Sequence, residues 1–472
     1  MNNDPMRIHL SLVSHTNIGK TTLARTLLSR DIGEVADRAH VTETTDDYVL
    51  ARTPEGCELI LWDTPGFGNS VALAKRLEGR TNPMGWFMAE VWDRMANKSL
   101  WLNQKAIKHV KETSNVVLYL VNATELPDTA PYVSAEMRIL SWIGKPVIVL
   151  LNQMGEPKAP ELEQADVDRW KDAMASYPIV HSVLPMDAFA RCWVQEYALF
   201  DAIAKALPEE LQATMESLRE VWSRQRRAAY NASIQALTTY LEKLANDKEV
   251  AENTSVVDQI KFLGKKLGLF KKDTAHDPIG AAQTALSSRA ADEFCALTDK
   301  LIAINGLKGK GVRKELLARM QTDWNVKSAV PPAPAAVIGA VGTGAAGGLA
   351  SDLATGGLSL GLGTLIGTVV GALGGAGLAV AYNRKQAVDG TIVIWSRSAL
   401  MEFLQNAVLL YLAIAHFGRG RGNWALGESP IFWKTLIANE LTCDMQSQDP
   451  VPKIVEHLLK NTLKNLYPKS RF

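Results

Sequence analysis

One short segment near the N-terminus constrains the fold of this chain more than any other feature. It reads Ser14-His-Thr-Asn-Ile-Gly19-Lys20-Thr21, follows the apolar run Arg7–Val13 and precedes the helical pattern Thr22–Leu28. A Gly-Lys-Thr sequence between a strand and a helix is the context of a Walker A phosphate-binding loop. In such a loop the backbone N–H groups surround the phosphates, the lysine neutralises the β- and γ-oxygens, and the threonine hydroxyl binds magnesium. We therefore expect a nucleoside triphosphate with Mg²⁺ at Lys20 and Thr21.

The first half of the chain alternates short apolar runs with helical patterns, which is typical of β-α-β units and a parallel sheet. Several of the runs are continuous in Val, Ile and Leu, as expected for strands covered on both faces. The predicted strands are Arg7–Val13, Asp47–Ala51, Glu58–Trp62, Asn115–Val121, Pro146–Leu151 and Ile179–Leu184. The patterns predict an α/β P-loop domain over residues 1–206, with a parallel-rich sheet and helices on both faces.

A second motif, Asp63-Thr-Pro-Gly66, ends the predicted strand Glu58–Trp62. An aspartate at this place can hold the magnesium shell through water, and the Gly66 N–H can contact the γ-phosphate. Between the two motifs lies Thr42-Glu-Thr-Thr45, where one threonine should complete the magnesium coordination when the γ-phosphate is present. The spacing leaves Thr42 and Thr44 as equal candidates.

Together these motifs resemble the Era-like branch of the small GTPases, in the TRAFAC class, over about residues 6–200. The resemblance rests on Asn17-Ile-Gly-Lys-Thr21, the Thr-Thr-x-Asp switch and Asp63-Thr-Pro-Gly66. It implies GTP as substrate, Mg²⁺ as cofactor, and Lys20, Thr21 and Gly66 as the catalytic residues. The nucleotide-binding residues that it implies are Ser14, Asn17, Ile18, Gly19, Lys20, Thr21, Thr22 and Asn152, with Ser14 in place of the family's first glycine.

The base-recognition motif of that family, Asn-Lys-x-Asp, is altered in this chain. After the strand Pro146–Leu151 the sequence reads Asn152-Gln-Met-Gly155, so the asparagine is kept and the aspartate is absent. The family's aspartate accepts hydrogen bonds from guanine, and hydrogen-bonded recognition of this kind gives strong discrimination between substrates. Glu156 is one candidate substitute, and Val183-Leu-Pro-Met-Asp187-Ala188, where the last base-contacting loop should fall, matches the family poorly. The base preference is therefore open at this point.

The residue after Gly66 is Phe67, whose side chain cannot orient an attacking water. In GTPases with an apolar residue here, the missing group comes from elsewhere, often through dimerisation of two nucleotide domains. Asn17 is the residue type found in potassium-stimulated members, where a fixed cation neutralises charge that develops during hydrolysis. We therefore expect a potassium ion at Asn17 and a nucleotide-dependent homodimer, with a structural asparagine as the alternative.

The charge balance of the chain excludes an overall polyanion-binding character. Its 472 residues contain 51 Lys and Arg and 50 Asp and Glu, which gives a formal net charge of +1. No DNA partner is therefore expected. The four cysteines lack metal or redox spacing and the N-terminus lacks a signal-peptide layout, so we expect the protein on the cytosolic side.

Beyond about Leu207 the pattern changes to amphipathic helices. Leu207–Asn246 is the first, and the chain closes with three more around Ala399–Phe417, Pro430–Leu441 and Pro452–Leu466. The predicted divisions are a helical domain at 207–328, an apolar segment at 329–385 and C-terminal helices at 386–472. The whole chain resembles a group of bacterial Era-like GTPases with a C-terminal domain of unknown function.

The apolar segment predicts a helical hairpin of the glycine-zipper type. Ala333–Ser351 and Leu358–Tyr382 are each long enough to cross a hydrocarbon core of about 30 Å. Asp352 lies between them and Arg384-Lys385 follow. Small residues recur every four positions, which permits close helix contact; they are Ala335, Gly339, Thr343, Gly347 and Ser351, then Ser359, Gly363, Gly367, Gly371, Gly375 and Ala379. Burial in a soluble helical domain and a flexible loop are the alternatives.

A second segment, Ile260–Lys272, carries five lysines and no acid among apolar residues, a membrane-surface pattern. The sequence thus predicts a GTP-hydrolysing switch at the cytosolic face of the inner membrane. Its partner would be membrane lipid, a membrane protein, or both. The alternative is an RNA or ribosome-assembly GTPase of the Era type, for which Gly306-Leu-Lys-Gly309 gives a superficial match to an RNA-binding loop.

Overall fold

A computed structural model gives the fold. It describes residues 5–28, 46–89, 98–155, 160–187, 192–251, 278–307, 378–381, 391–417, 430–444 and 450–468. Contacts within the chain divide it into two units, the first formed by residues 1–230 with 415–423 and 463–472, and the second by residues 231–414 with 424–462.

The first unit is built on a six-stranded sheet in the order β2-β3-β1-β4-β5-β6. Five strands run parallel, and only the edge strand β2 pairs antiparallel, with β3. The strands are β1 Arg7–Ser14, β2 Asp46–Arg52, β3 Glu58–Asp63, β4 Val116–Asn122, β5 Val147–Asn152 and β6 Val180–Pro185. The predicted parallel-rich α/β P-loop fold is confirmed, and each predicted strand is found within one residue of its predicted ends.

Helices cover both faces of this sheet. Along β4, Val117, Tyr119 and Val121 pack into one core with the helices between β3 and β6, whereas Leu118 and Leu120 are equally buried on the opposite face. Alternate residues of a strand point to opposite faces, so burial of both sets requires cover on both. The helices of this part are α1 Lys20–Leu28, α2 Ser70–Leu77, α3 Pro83–Ala89, α4 Lys98–Thr113, α5 Pro131–Ile143, α6 Pro160–Met174 and α7 Trp193–Ala206.

A 38-residue helix, α8 Glu209–Asn246, passes from the first unit into the second. The second unit contains a three-stranded antiparallel sheet in the order β7-β9-β8. Its strands are β7 Lys248–Ala251, β8 Leu378–Ala381 and β9 Thr391–Trp395. The remaining helices are α9 Pro278–Ile304, α10 Arg397–Ala415, α11 Ile431–Asp444 and α12 Val451–Leu466, so the C-terminal region is largely helical, as predicted.

The small sheet corrects one part of the sequence interpretation. The predicted apolar helix Leu358–Tyr382 included Leu378–Ala381, which is instead strand β8, with Val380 opposite Val393. The partner strand β9 is rich in β-branched residues, which favour strand pairing. This preference outweighs the helical pattern of small residues at every fourth position, which extended to Ala379. Residues 333–377 and the lysine-rich segment Ile260–Lys272 lie outside the described residues. No helix of the described part is long and apolar enough to span a membrane.

Candidate functional site

The parallel strands bring three sequence motifs to one edge of the sheet. Leu12 of β1 lies opposite Asp63 of β3, so the loop after β1 and the segment after β3 begin at the same level. Strand β5 ends at Asn152, opposite Asn122 of β4. The carboxyl ends of parallel strands form the usual ligand-binding crevice of α/β sheets. Residues 14–19, the segment Asp63–Gly66 and Asn152 therefore surround one candidate site.

The loop after β1 has a backbone that few residues can adopt. Asn17 and Gly19 have φ angles of 65° and 95°, and the Gly19 carbonyl accepts the Leu23 N–H at the start of α1. A Cβ placed on Gly19 would lie 2.8 Å from the Asn152 Nδ2 atom. The left-handed conformation and the close asparagine both require glycine at this position.

The Lys20 ammonium is almost completely buried at this edge. Its side chain is 7% exposed, and Nζ donates a hydrogen bond of 3.2 Å to Ser14 Oγ. Burial lowers the pKa of Lys20, and the charges of Asp63 and Glu136 oppose that shift. A buried ammonium group attracts an anionic ligand strongly, because the ligand would replace the water that the group has lost.

Thr21 and Asp63 meet beside this lysine. The Thr21 hydroxyl donates to Asp63 Oδ2 at 2.5 Å, and the other carboxylate oxygen, Oδ1, is buried without a hydrogen-bond partner among the described residues. Burial raises the pKa of Asp63, while the nearby Lys20 charge lowers it. A threonine hydroxyl and an unpaired carboxylate oxygen are hard oxygen donors, the type that Mg²⁺ prefers, either directly or through its waters. The residues present therefore fit a magnesium ion.

The segment that follows Asp63 lies against the phosphate loop. The Phe67 N–H donates to the Ser14 carbonyl at 2.8 Å. A Cβ on Gly66 would lie 3.1 Å from both Lys20 Nζ and Thr16 Cα, so glycine permits this close approach. The Phe67 side chain is 1% exposed and belongs to the core, so Phe67 contacts the loop through its backbone.

The end of β5 is bound to the same loop through a side chain. Asn152 is fully buried, and its Nδ2 donates to the Ile18 carbonyl at 2.5 Å. The next residue, Gln153, has a φ of 56° and donates weakly to the Asn17 carbonyl at 3.4 Å. Asn152 thus fixes the base-recognition loop to the phosphate loop.

A comparison with protein families supports this geometry. Residues 9–153 match the family model described as 50S ribosome-binding GTPase, which spans β1 to the end of β5 and every motif above. The N-terminal domain has the P-loop GTPase fold. No curated protein matches the chain.

Solved structures similar to the chain include two of Era and one of a probable GTP-binding protein, EngB. Era in a complex with MgGDPNP and a segment of 16S ribosomal RNA is 19% identical; the match covers 44% of this chain and 58% of that chain, with a TM-score of 0.32. An Era variant from Aquifex aeolicus bound to GDP·AlF₄⁻ is 14% identical, over 62% and 89%, with a TM-score of 0.30. The EngB structure is 14% identical, over 45% and 99%, with a TM-score of 0.26.

Most predicted site residues of the GTPase domain are thus brought together. Ile18 and Thr22 are buried beside Lys20 at the start of α1, whereas Asn17 is exposed. The two switch candidates, Thr42 and Thr44, lie outside the described residues, as does Glu156.

Sequence reasoning missed a buried acid that contacts the phosphate loop. Glu136 of α5 is fully buried, and its Oε1 lies 2.8 Å from His15 Nδ1. Its Oε2 accepts the Tyr119 hydroxyl at 2.9 Å, and the His15 ring stacks on Tyr132 with centroids 4.6 Å apart. One signal was available: Glu136 stands three residues after Val133, on the apolar face of its helix. Its partner at position 15 could not be inferred from that spacing.

This buried acid should give the GTPase domain a recognisable pH dependence. Burial raises the pKa of Glu136 above its ordinary value of 4.5, so the folded state holds the proton more tightly than the unfolded state. That contribution to the free energy of unfolding is complete below about pH 4.5 and is lost as pH rises through the raised pKa. Glu136→Gln cannot ionise, so its stability relative to wild type should increase as pH rises above 4.5. Urea denaturation at a series of pH values measures this difference.

Glu112→Gln is the matched control, because Glu112 is an exposed acid on α4. Its stability curve should run parallel to that of wild type. A Glu136→Gln curve that also ran parallel would contradict the assignment of a buried, proton-holding Glu136.

Proposed function

We propose that the protein is a molecular switch that binds and hydrolyses GTP. The single observation that carries the proposal is a buried Lys20 ammonium beside an Asp63 oxygen that has no hydrogen-bond partner in the described part of the chain. Burying a cation and a carboxylate with unsatisfied capacity costs free energy. A bound nucleotide phosphate with magnesium would satisfy both groups at once, and the family match over residues 9–153 points to the same ligand.

Each residue of the proposed site has a distinct role. Lys20 neutralises the β- and γ-phosphate oxygens, the backbone N–H groups from Asn17 to Thr22 bind the phosphates, and Gly66 contacts the γ-phosphate. Thr21 and Asp63 hold Mg²⁺, which supplies neutralisation of the charge on the phosphates, and either Thr42 or Thr44 adds a ligand in the triphosphate state. Ser14 accepts from Lys20, and Asn152 holds the base loop against Ile18.

Removal of the Lys20 ammonium should abolish GTP turnover. In Lys20→Ala no other basic side chain of the phosphate loop can reach the transferred phosphoryl group, and the loss of one such charge costs about a hundredfold or more. Phosphate release from GTP by the full chain measures this. Lys111→Ala, which removes an exposed lysine on α4, should keep wild-type turnover. Wild-type turnover in Lys20→Ala would remove the nucleotide-site assignment.

The same assay tests the proposed potassium ion and homodimer. Asn17 is exposed with a left-handed backbone at the phosphate loop, and the buried Phe67 side chain cannot orient an attacking water. We propose that potassium at Asn17 and a second copy of the chain supply charge neutralisation and water orientation. Turnover per molecule should be higher in potassium than in sodium and should rise with protein concentration. A rate that is flat in both series would rule out this mechanism and leave the GTPase site intact.

We further propose that the switch acts at the cytosolic face of the inner membrane, on a membrane protein or on lipid. The support is in the sequence: the apolar runs Ala333–Ser351 and Leu358–Gly377 and the basic segment Ile260–Lys272. The alternative remains an Era-type GTPase that acts on RNA or the ribosome.

Cell fractionation separates these two possibilities. The membrane proposal predicts that the wild-type chain sediments with membranes and is released by detergent. A variant that lacks residues 333–377 should be soluble; the deletion stops before Leu378 because Leu378–Ala381 is a strand of the second unit. Equal GTP turnover of both proteins would show that the GTPase domain is folded. Wild-type protein in the ribosomal fraction, released by high salt, would favour the RNA alternative, and wholly soluble wild-type protein would end the membrane proposal.

A further inference from the structure

The base-recognition loop, residues 152–155, has Gly155 where the Era-like family has the aspartate that binds the base. Its last residue, Gly155, has a φ of 82°, and a Cβ placed on it would have no atom of the described residues within 4 Å. Asn152 is present at the start of the loop and binds the phosphate loop through Ile18. The loop therefore has the anchor that positions it and lacks an acidic side chain of its own among the described residues 152–155.

An acid from the neighbouring strand is bound to this loop. Asp187 follows β6, which pairs parallel with β5 and brings Pro185 opposite Leu151. The Met186 N–H extends this pairing by donating to the Leu151 carbonyl at 2.9 Å. Asp187 Oδ2 then accepts the Met154 N–H at 2.6 Å, and the residue is only 5% exposed. The carboxylate of Asp187 is thus fixed to the backbone one residue before Gly155.

The chemistry of a carboxylate at this place suits guanine. A carboxylate has two oxygens with about four lone-pair sites, so it can accept several hydrogen bonds, and the bond from Met154 N–H uses one of these sites. Guanine presents two adjacent donors, N1–H and the exocyclic N2–H₂, on one edge. Adenine presents an acceptor at N1 and no donor at C2, so a carboxylate would repel it. A carboxylate held beside the loop therefore prefers guanine to adenine.

We propose that Asp187 supplies the carboxylate that reads the guanine base, in place of the residue that Asn152-Gln-Met-Gly155 lacks. This inference rests on the proposed GTPase function and specifies the base preference of the same site. The acid then comes from the loop after β6 instead of the loop after β5. The bond between Met154 and Asp187 joins the two loops, so the carboxylate is held at the residue that precedes Gly155.

The substitution Asp187→Asn tests the proposal directly, because it replaces one carboxylate oxygen, an acceptor, with an NH₂ group, a donor. An asparagine oxygen can still accept the Met154 N–H, so the loop anchor is retained, while its NH₂ group faces the ligand as a donor. Xanthine has a carbonyl oxygen in place of the guanine N2 amino group and therefore complements an amide. We expect wild-type protein to bind GDP at least about tenfold more tightly than XDP or ADP. In Asp187→Asn the ratio of GDP to XDP affinity should fall by about tenfold or more.

Equilibrium binding of fluorescent GDP, with unlabelled GDP, XDP, IDP and ADP as competitors, measures these ratios on the full chain. Glu156→Gln is the matched control, because it makes the same carboxylate-to-amide change on the next residue of the β5 loop. It should keep the wild-type ratios. Asp187→Ser, whose shorter side chain is polar but carries no charge, should lose guanine preference without gaining affinity for XDP.

The outcomes separate this inference from the proposed function. Wild-type protein that binds none of the four nucleotides would contradict the GTPase function itself. Wild-type protein that binds GDP, with an unchanged GDP-to-XDP ratio in both Asp187 variants, would show that Asp187 only anchors the loop and would overturn the inference alone. A change of the ratio in Glu156→Gln would assign the base contact to Glu156 instead. Should Asp187→Asn fail to fold, the loss of preference in Asp187→Ser decides the question.

Discussion

The parallel pairing of β1 with its two neighbours is the constraint on which the candidate site depends. It places the end of β1 level with Asp63 of β3 on one side and with β4 on the other, and β4 in turn sets the position of β5. The side-chain period of a strand is two, so a slip of one residue would turn each of these strands over. Burial of both faces of β1, β4 and β5 fixes the register. The phosphate loop, the Asp63 motif and Asn152 then lie at the same edge of the sheet, because the strands that carry them are paired in this register.

Charged groups are concentrated at this edge in a way that packing alone does not require. Lys20, Asp63 and Glu136 are each at least nine-tenths buried, and burial disfavours the charged form of all three. Buried ionisable groups with shifted pKa values are most often found at functional sites. The attraction of Lys20 to the two acids offsets part of the desolvation cost, and His15 and Tyr119 bond to the Glu136 carboxylate. A bound phosphate with magnesium would satisfy the Asp63 oxygen that has no partner among the described residues.

The parts of the structure that follow from local pattern could be predicted from the sequence. The strands are continuous apolar runs, and the phosphate loop requires glycine for a positive φ at Gly19, so both are visible in the residue order. The contacts of His15 with Glu136 and of Met154 with Asp187 join residues far apart in the chain, and no spacing rule connects them. Strand β8 was missed for a related reason: Leu378–Ala381 is too short and apolar to be told from a helix until its partner strand Thr391–Trp395 is known.

Hydrogen exchange of the full chain with and without GDP and Mg²⁺ tests the central claim most directly. If residues 14–22 bind the phosphates through their backbone N–H groups, their amide exchange should slow on addition of nucleotide. Residues 152–155 should slow with them, because Asn152 bonds to Ile18. The strands Lys248–Ala251 and Thr391–Trp395 of the second unit serve as the internal reference and should exchange as before. Unchanged exchange at residues 14–22 under saturating nucleotide would contradict the assignment of the nucleotide site.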